Sequence, residues 1–348
     1  MQTLFFPFYP NNPYQPNLVR ELSALGYMVD GQNEISPRAL FKSLCRGYKI
    51  YHLHWTDPYI MSERLPISIL KSSFFIVFLI LIKLKGSRLV WTIHNFGKHE
   101  KSQQRFELFV HRIIAKLSNG IIAHSKFAKR IVTEKYSVEK QPDKIHVIPH
   151  GSYIGNYPET TTHEQARRAN NITEEKVAFL FLGQIRQYKG VHELMESFAQ
   201  VSSEKEMLIV AGRPFDQQLE ENLAQLANRS TNIQFHPGFV AEEKIQGYME
   251  AADAVVFPFK DILTSGSILL AMSFGKAIIV PKLESLEEII AVGGAICFDP
   301  EDPDGLKSAL KAALTSDLEG LGQINLNAAQ LLSWDQIARQ TADVYATA

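Results

Sequence analysis

The sequence predicts an α/β protein built from two doubly wound parallel sheets. Short apolar runs alternate with segments of helical periodicity along the chain, and this alternation is typical of parallel sheets with helices on both faces. The predicted strands are 3–6, 50–54, 89–93, 120–123 and 145–148, then 177–182, 207–211, 233–237, 254–257, 277–280 and 295–298. The predicted helices are 16–25, 62–85, 104–117 and 126–136, then 191–201, 216–227, 241–251, 267–274, 285–291, 305–314 and 334–348.

Two domains are expected, because 348 residues are too many for one comfortable core. A polar stretch from Asn156 to Lys176, which could hold a short helix at 164–169, has the composition of a linker. We therefore predict domains at 1–160 and 171–330 that face each other across a cleft. The helix at 334–348 could pack back on the first domain.

Composition excludes several classes of protein. Apolar residues make up 45% and charged residues 21%, as in globular chains. A net charge of -1 argues against general nucleic-acid binding. Two cysteines exclude a disulfide framework, and the first residues lack the features of a signal peptide, so a cytoplasmic location is expected.

The most apolar stretch is the eleven-residue run from Ser72 to Ile82. It is shorter than the roughly 20 residues that a spanning helix needs. One interpretation is a buried helix of an α/β domain. The other is a helix that dips into the inner face of the cell membrane, with Lys71, Lys83 and Lys85 at the headgroups.

An anion site is predicted where the strand at 254–257 gives way to a small-residue helix. The segment is Thr264-Ser265-Gly266-Ser267, and the free amides of a first helical turn attract phosphate or diphosphate. The alternative is an ordinary capped helix, because Ser and Thr are good N-caps.

A second loop of the same half supplies cations and glycines. Gly183 ends the strand at 177–182 and allows a ligand to approach the backbone. Arg186 and Lys189 follow it and would meet the same phosphates. Gly212 ends the next strand and could line a nucleotide pocket. The alternative for the cations is a solvated basic loop.

In the first half of the chain, the candidate catalytic residues lie at the ends of predicted strands. Asp57 follows His52-Leu-His54-Trp-Thr, and His94 ends the next strand, with further histidines at 124 and 150. A carboxylate or imidazole there could activate an acceptor hydroxyl, although each residue alone is more often structural. His52 and His54 lack a third ligand at metal-site spacing, so no metal site is predicted.

With these residues placed, the chain resembles the GT-B glycosyltransferases over nearly its whole length. The motifs that match in order are Asn12-Pro-Tyr-Gln15, Thr92-Ile-His-Asn95, Ala123-His-Ser125, Ile148-Pro-His-Gly151, the loop from Gly183 to Gly190, and Ala271-Met272 with Gly275-Lys276. The resemblance implies a nucleotide-diphosphate sugar held mainly by the second domain and an acceptor on the first. It also implies no cofactor and no catalytic metal.

One departure bears on the mechanism. The large retaining group of this superfamily has a glutamate directly before the Ala-Met pair, where this chain has Leu270, and an earlier one near Asp261-Ile262. His52-Leu-His-Trp, the 183–190 loop and Thr264–Ser267 instead resemble bacterial exopolysaccharide β-mannosyltransferases of the xanthan type. That resemblance implies GDP-mannose, inversion and a lipid-linked acceptor at the membrane. From their positions at strand ends, Asp57 is the first candidate for the general base and His94 the second.

Three alternatives remain open at this point. The first is a retaining enzyme that has lost one glutamate and uses another nucleotide sugar. The second is a non-catalytic sugar-nucleotide-binding subunit of a polysaccharide assembly complex. The third is a sugar-nucleotide epimerase, which needs no acceptor.

Overall fold

The computed structural model describes residues 1–95, 103–263 and 265–347. The chain divides into two compact units. Unit 1 is Met1–Gly151 together with Leu332–Ala348, and unit 2 is Ser152–Leu331. The predicted domain boundary lies at 160–171, whereas the contacts place the division between Gly151 and Ser152.

Unit 1 is organised around a parallel sheet of six strands in the order β2-β1-β3-β4-β5-β6. The strands are β1 (Gln2–Phe6), β2 (Met28–Gly31), β3 (Ile50–Leu53), β4 (Arg88–Ile93), β5 (Gly120–Ala123) and β6 (Ile145–Val147). Five of them were predicted within two residues at either end. The sequence pattern missed β2, because this edge strand has no apolar run: Met28 is exposed, and Asp30 and Gly31 follow.

In the described part of unit 1, seven helices cover the sheet. They are α1 (Tyr14–Ala24), α2 (Pro37–Ser43), α3 (Asp57–Ile60), α4 (Leu65–Leu84), α5 (Gln104–Leu117), α6 (Lys126–Tyr136) and α15 (Trp334–Thr347). The last helix packs on α1 through one buried cluster that includes Leu18, Trp334 and Tyr345. The Trp334 ring lies so close to Gly151 that a Cβ there would come within 2.3 Å of it. The C-terminal helix is therefore part of the core of unit 1.

Unit 2 repeats the architecture with the strand order β12-β11-β10-β7-β8-β9. Its strands are β7 (Val177–Leu182), β8 (Glu206–Gly212), β9 (Ile233–Pro237), β10 (Ala254–Val256), β11 (Ala277–Pro281) and β12 (Ala295–Phe298). Its helices are α7 (His163–Ala169), α8 (Val191–Val201), α9 (Gln217–Ala227), α10 (Glu242–Ala251), α11 (Gly266–Ser273), α12 (Glu287–Ile290), α13 (Gly305–Ala313) and α14 (Leu318–Gln330). Both sheets are parallel, which confirms the predicted fold class.

Helix α14 was not predicted, because two glycines interrupt its apolar pattern. One of them, Gly322, is a site of close approach. A Cβ there would lie 2.0 Å from the carbonyl oxygen of Gly275, so only glycine lets α14 pack tightly beside β11. The glycine that weakens the helical pattern of α14 is therefore a packing requirement.

The predicted linker is largely attached to unit 2. Thr162 caps α7 with a capping box, and the buried Arg167 forms an ion pair with Asp253 at 3.0 Å. The side-chain oxygen of Gln246 also accepts the backbone N–H groups of residues 160 and 161. The short helix expected at 164–169 therefore docks on the body of the second unit.

Helix α4 is apolar on two faces. Among the described residues, it is the one helix that is long and apolar enough to span a membrane by length and composition, with 33% of its most apolar window buried. Phe75, Phe78 and Ile82 face the core of unit 1. The other face exposes Leu65, Ile67, Ile69, Leu70, Phe74, Val77, Ile80 and Leu84. The helix thus combines a core-packing face with an unusually apolar outer face.

Each sheet has one point where the strand order reverses. In unit 1 the chain moves from β1 to β2 on one side and then to β3 on the other, so the reversal lies between β1 and β3. In unit 2 it lies between β7 and β10. Ligands of open α/β sheets bind outside the carboxyl ends of the strands at such a point.

Candidate active site

The switch point of unit 2 brings together the two loops that the sequence predicts to bind anions. The loop after β7 carries Gly183, Arg186 and Lys189, and the loop after β10 leads into α11. The two loops touch, because the backbone N–H of Lys260 donates to the carbonyl of Tyr188 at 2.9 Å. The cations and the start of α11 therefore lie at one edge of the sheet.

The glycines of this crevice have different roles. A Cβ at Gly212 would lie 1.8 Å from the Gly183 carbonyl oxygen, and one at Gly190 would lie 2.0 Å from that of Pro258. These two glycines let backbone pack against backbone. At Gly183 the nearest atom to such a Cβ is the Lys189 Nζ at 3.7 Å, so Gly183 leaves room beside a cation, as the anion-site hypothesis requires.

Lys189 is a partly desolvated cation. Its Nζ lies 5.8 Å from the centre of the Phe259 ring, and burial, followed by the charge of Arg186, lowers the pKa of Lys189 to about 8. Arg186 itself lies over the Phe215 ring at 4.4 Å. An anion placed between these two cations would relieve their repulsion and favour the charged form of Lys189.

The start of α11 combines a cap with a narrow approach. The Ser265 Oγ accepts the backbone N–H of Ile268 at 3.2 Å and lies 3.0 Å from the Ser267 Oγ. A Cβ at Gly266 would come within 2.8 Å of the Tyr153 hydroxyl oxygen. The capped-helix interpretation therefore describes Ser265, and the anion-binding role of these residues stays a prediction. Thr264 lies outside the described residues.

The switch point of unit 1 holds an open pocket of about 460 Å³, lined by Tyr9, Asn11, Asn12, Trp55, Asp57 and Pro58. All six residues come from the segments that directly follow β1 and β3. Asp57 is partly buried at the first position of α3. Burial, and then the charge of Asp57, raise the pKa of Tyr9, so carboxylate and phenol are near neighbours.

Beside this pocket, three histidines form a directional hydrogen-bonded chain. The Ile148 carbonyl can only accept, so His124 donates to it from Nδ1 at 2.9 Å. Its Nε2 then accepts from His94 Nδ1 at 3.4 Å, and His94 Nε2 accepts from His54 Nδ1 at 3.2 Å. Burial lowers the pKa of all three rings, that of His124 to about 4, which keeps the chain neutral and its direction defined.

These hydrogen bonds between histidines argue against His94 as a base. Both of its ring nitrogens take part in bonds to other histidines, so no lone pair is left to accept a proton from a hydroxyl in this arrangement. The Trp55 indole stacks on its ring, with centroids 4.3 Å apart and planes at 16°. His94 is thus placed as a support for Trp55, and Asp57 is the better-placed candidate base.

The comparisons with known proteins cover both units. Residues 4–152 match the model of Glycosyltransferase Family 4, and residues 162–330 match that of Glycosyl transferases group 1. The GDP-mannose:glycolipid 4-beta-D-mannosyltransferase of Xanthomonas campestris is 24% identical over 88% of this chain and 82% of its own. A D-inositol 3-phosphate glycosyltransferase of Nocardioides is 24% identical over 67% of this chain and 54% of its own.

Solved structures share the whole fold. Sucrose-phosphate synthase from Thermosynechococcus elongatus superposes with a TM-score of 0.76 at 19% identity, covering 99% of this chain and 98% of that one. HepE of Anabaena, in complex with UDP-glucose, gives a TM-score of 0.74 at 16% identity and covers all of both chains. The chain belongs to the GT-B glycosyltransferases.

In this glycosyltransferase, His52 has a structural role. His52 bonds to the Tyr345 hydroxyl at 2.6 Å and the Thr92 hydroxyl at 2.7 Å, so it ties α15 to the sheet. Within the described parts of the chain, no group of three or more His, Cys, Asp or Glu residues could hold a metal ion. Leu270, which stands where the retaining group has a glutamate, is 8% exposed and packs as an apolar residue.

Sequence reasoning missed the aromatic part of the unit 1 crevice. Tyr9 and Trp55 lie 46 positions apart in the chain, and their rings are 5.2 Å apart in the structure. The signal that could have found them is topological: both follow strands that flank the switch point. The switch point can be located only if the order of β1, β2 and β3 is known. Because the sequence pattern missed β2, that order could not be worked out.

Proposed function

We propose that this glycosyltransferase transfers mannose from GDP-mannose, with inversion, to a hydroxyl of a lipid-linked saccharide in bacterial polysaccharide synthesis. Support comes from the relative named GDP-mannose:glycolipid 4-beta-D-mannosyltransferase, which aligns over most of both chains. The observation that carries the proposal is the pair of switch-point crevices, one cationic and one holding a carboxylate.

The donor binds in the crevice of unit 2. Lys189, Arg186 and the amides at the start of α11 neutralise the diphosphate as it leaves, and we propose that no metal ion is required. Hydrogen-bond donors and cations that are already positioned around the developing negative charge usually make the largest single contribution to catalysis. Transfer that continues in EDTA supports this arrangement, and activity that depends on added Mg²⁺ contradicts it.

The acceptor hydroxyl is activated by Asp57 in the crevice of unit 1. In this step the hydroxyl oxygen attacks the anomeric carbon of mannose, and the bond from that carbon to the diphosphate oxygen breaks. GDP leaves with the bonding electrons, and the hydroxyl proton passes to the Asp57 carboxylate. The base must reach the acceptor oxygen, as in other general-base reactions.

Two measurements test the function. A thermal-shift panel of GDP, UDP, ADP and TDP should show the largest rise in melting temperature with GDP, because a ligand stabilises the state that it binds. The product formed with GDP-mannose should carry a β-mannosyl linkage by NMR. An α-linkage would establish retention and overturn the assignment of Asp57 as base. Binding of GDP with no turnover over any acceptor would indicate a non-catalytic subunit.

The outer face of α4 is proposed to rest on the membrane that carries the acceptor. It exposes Leu70, Phe74 and Val77 on successive turns, and Phe109 of the neighbouring α5 is also 60% exposed. Apolar surfaces of this kind mark interaction sites. Lys71, Lys83 and Lys85 each donate to protein oxygens, so the contact rests on apolar side chains more than on these lysines.

Vesicle flotation tests the membrane contact. The full chain should float with phosphatidylcholine vesicles, and a Leu70→Ser, Phe74→Ser, Val77→Ser variant with an unchanged melting temperature should not. Phe239→Ser, which removes an exposed phenylalanine of unit 2, is the matched control and should float like the parent. Equal flotation of the triple variant would remove α4 from the proposal.

A further inference from the structure

A series of buried rings connects α15 to the crevice of unit 1. The Tyr345 hydroxyl of α15 lies at one end of this series, and the Trp55 ring lies at the other. We propose that Tyr345 is a positioning residue for the transfer reaction, because its hydroxyl orients the rings that hold Trp55 and the start of α3. The inference rests on the proposed function, in which Asp57 at the start of α3 is the base, and it adds a residue outside the crevice on which that base depends.

The first hydrogen bond of the series has a defined direction. Tyr345 is fully buried, and among the described residues its hydroxyl has one hydrogen-bond partner, His52 Nδ1 at 2.6 Å. Burial raises the pKa of Tyr345 well above its usual value, so the hydroxyl keeps its proton. A buried O–H without an acceptor is costly, so Tyr345 donates and His52 Nδ1 accepts.

This bond decides the tautomer of His52. Burial, and then the neighbouring His124, lower the pKa of His52 to about 3, so the ring is neutral and carries one proton. Because Nδ1 accepts from Tyr345, that proton lies on Nε2, which donates to the Thr92 hydroxyl oxygen at 2.7 Å. Both ring nitrogens are thus bonded, and a turn of the ring would break two hydrogen bonds.

The fixed His52 ring is the surface on which the next ring rests. His54 stacks on it, with centroids 4.3 Å apart and planes at 28°. His54 donates from Nδ1 to His94 Nε2 at 3.2 Å, and His94 stacks on Trp55 with centroids 4.3 Å apart. We call these five residues, from Tyr345 to Trp55, the Tyr345 series. Because each ring rests on the one before it, a turn of His52 is passed on to Trp55.

Tyr14 provides a second route from His52 to the crevice. Burial raises the pKa of Tyr14, and the Thr92 side chain opposes this rise, so Tyr14 is a neighbour of the hydroxyl to which His52 donates. The Tyr14 ring meets that of His94 edge-on, with centroids 4.9 Å apart. Its backbone N–H donates at 3.1 Å to Oδ1 of Asn12, which lines the crevice. Both routes pass through the bonds that Tyr345 orients.

The far end of the series lies beside the candidate base. Trp55 precedes Asp57 by two residues, and the hydroxyl of the intervening Thr56 is bonded to His111 Nε2 at 2.8 Å. A shift of the Trp55 ring therefore acts on the backbone that places the Asp57 carboxylate. A displacement of about 1 Å in a catalytic group can lower a rate by about 10²-fold.

The competing interpretation is that the Tyr345 hydroxyl only anchors α15. The helix has other anchors, since Arg88 donates to the Tyr345 and Ala346 carbonyls, and Trp334 packs closely against Gly151. An anchor alone predicts that loss of the hydroxyl lowers the melting temperature and leaves the crevice unchanged. Measurements at His94 and Trp55 therefore separate the two interpretations.

NMR of the histidine side chains in the full chain tests the series. In the parent, His52 should give the ring-nitrogen signature of a neutral imidazole protonated at Nε2. Tyr345→Phe should shift the ring resonances of His52 and also those of His94, which Tyr345 does not contact. Tyr27→Phe, which removes the hydroxyl of the ring that packs on Tyr345 at 5.5 Å, is the matched control and should leave His94 unchanged. Unshifted His94 resonances in Tyr345→Phe overturn the inference.

Acrylamide quenching of tryptophan emission measures the crevice end. Trp91 and Trp334 are buried, 2% and 7% exposed, whereas Trp55 is partly exposed. Tyr345→Phe and Thr92→Val should each increase the quenching, and the double variant should increase it no further, because both changes break the same series. Thr92→Ser, which keeps the hydroxyl, should quench like the parent. Additive effects, or parent-like quenching in Tyr345→Phe, contradict the series.

Release of GDP from GDP-mannose, with water as the acceptor, relates the series to the reaction. Tyr345→Phe should slow this release by about 10- to 10²-fold, with the KM for GDP-mannose unchanged because the proposed donor site lies in unit 2. Tyr27→Phe should release GDP at the rate of the parent. Equal rates in Tyr345→Phe and the parent would show that Tyr345 does not position the base.

These outcomes separate the inference from the proposed function. If GDP raises the melting temperature and Tyr345→Phe leaves His94 and Trp55 unchanged, the positioning role is wrong and the donor assignment stands. If Tyr345→Phe changes both residues and GDP gives no rise in melting temperature, the connection from α15 to the crevice stands and the GDP-mannose proposal fails.

Discussion

The two switch-point crevices have the same topology and opposite chemistry. In unit 1, the loops after β1 and β3 present aromatic rings, amides and Asp57. In unit 2, the loops after β7 and β10 present glycine backbone, Lys189 and Arg186. A parallel sheet decides where a ligand can bind, and the loop sequences decide which kind of ligand it is.

The two crevices are also supported differently. That of unit 1 lies beside neutral, buried histidines, whereas that of unit 2 depends on close contacts between backbones at Gly190 and Gly212. The first support is sensitive to protons and the second to added volume. Acid should therefore disturb the crevice of unit 1, and added side-chain volume at the glycines should disturb that of unit 2.

Acid should have the largest effect, and should act on unit 1. Burial lowers the pKa of His52 and His150 to about 3 and that of His124 to about 4, so the unfolded chain binds protons first as the pH falls below about 6.5. Stability is complete above that pH and declines toward the folded-state values. Each of these histidines should cost about 2 kcal/mol by pH 5.

Tryptophan emission measures this loss, because all three tryptophans lie in unit 1. Urea titrations followed by emission should give a free energy of unfolding that falls steadily between about pH 6.5 and pH 5. A constant value across that interval would contradict the neutral-histidine arrangement.

Asp57→Asn tests whether the carboxylate of unit 1 does chemistry. Loss of a general base should lower kcat by about 10²- to 10⁴-fold, and GDP affinity should not change because the proposed donor site lies in unit 2. Asp143→Asn, at an exposed position of unit 1, is the matched control. Near-normal turnover in Asp57→Asn would show that Asp57 only positions the sugar.

Gly190→Ala tests the close packing of unit 2. The new Cβ would collide with the Pro258 carbonyl at 2.0 Å, and φ is +66° at this position, so we expect a loss of about 2–4 kcal/mol in stability. Gly247→Ala is the control in the same unit: its Cβ meets nothing within 4 Å in the interior of α10, and should stabilise by about 0.5–1 kcal/mol. Chemical denaturation measures both, and equal effects would contradict the packing argument.

Lys189→Ala should have the smallest of these effects. Loss of a charge-assisted contact to diphosphate should weaken GDP binding about 10- to 100-fold, measured by calorimetry. The control is Lys205→Ala, which changes an exposed lysine directly before the amino end of β8 in the same sheet. This variant should bind GDP as the parent does. If Lys189→Ala binds GDP normally, the cationic crevice does not hold the phosphates.

Most of the fold follows from local pattern. Strands such as β7 and β12 are short apolar runs, and α5, α6 and α8 are amphipathic, so their predicted bounds match the structure. Two of the missed elements have reasons that are not local. The edge strand β2 is ordered by pairing with β1, and α14 tolerates Gly322 because of contact with Gly275.

The candidate site was predictable in part. Asp57, Lys189 and Ser265 stand at strand ends or helix starts, where residue type already indicates a chemical role. The sequence did not reveal that both ring nitrogens of His94 are bonded to other histidines. It also did not reveal that the Gly183 carbonyl packs against Gly212. Both facts depend on neighbours that lie about 30 or more positions away in the chain.

The sequence by itself determined the alternation of strands and helices, the two-unit size and the polar residues at strand ends, because periodicity and turn chemistry are local properties. Only the tertiary structure decided which strand ends become neighbours, which histidines bond to one another, and that α15 completes the core of unit 1. Those outcomes depend on strand order and on contacts between distant segments, which no local pattern encodes.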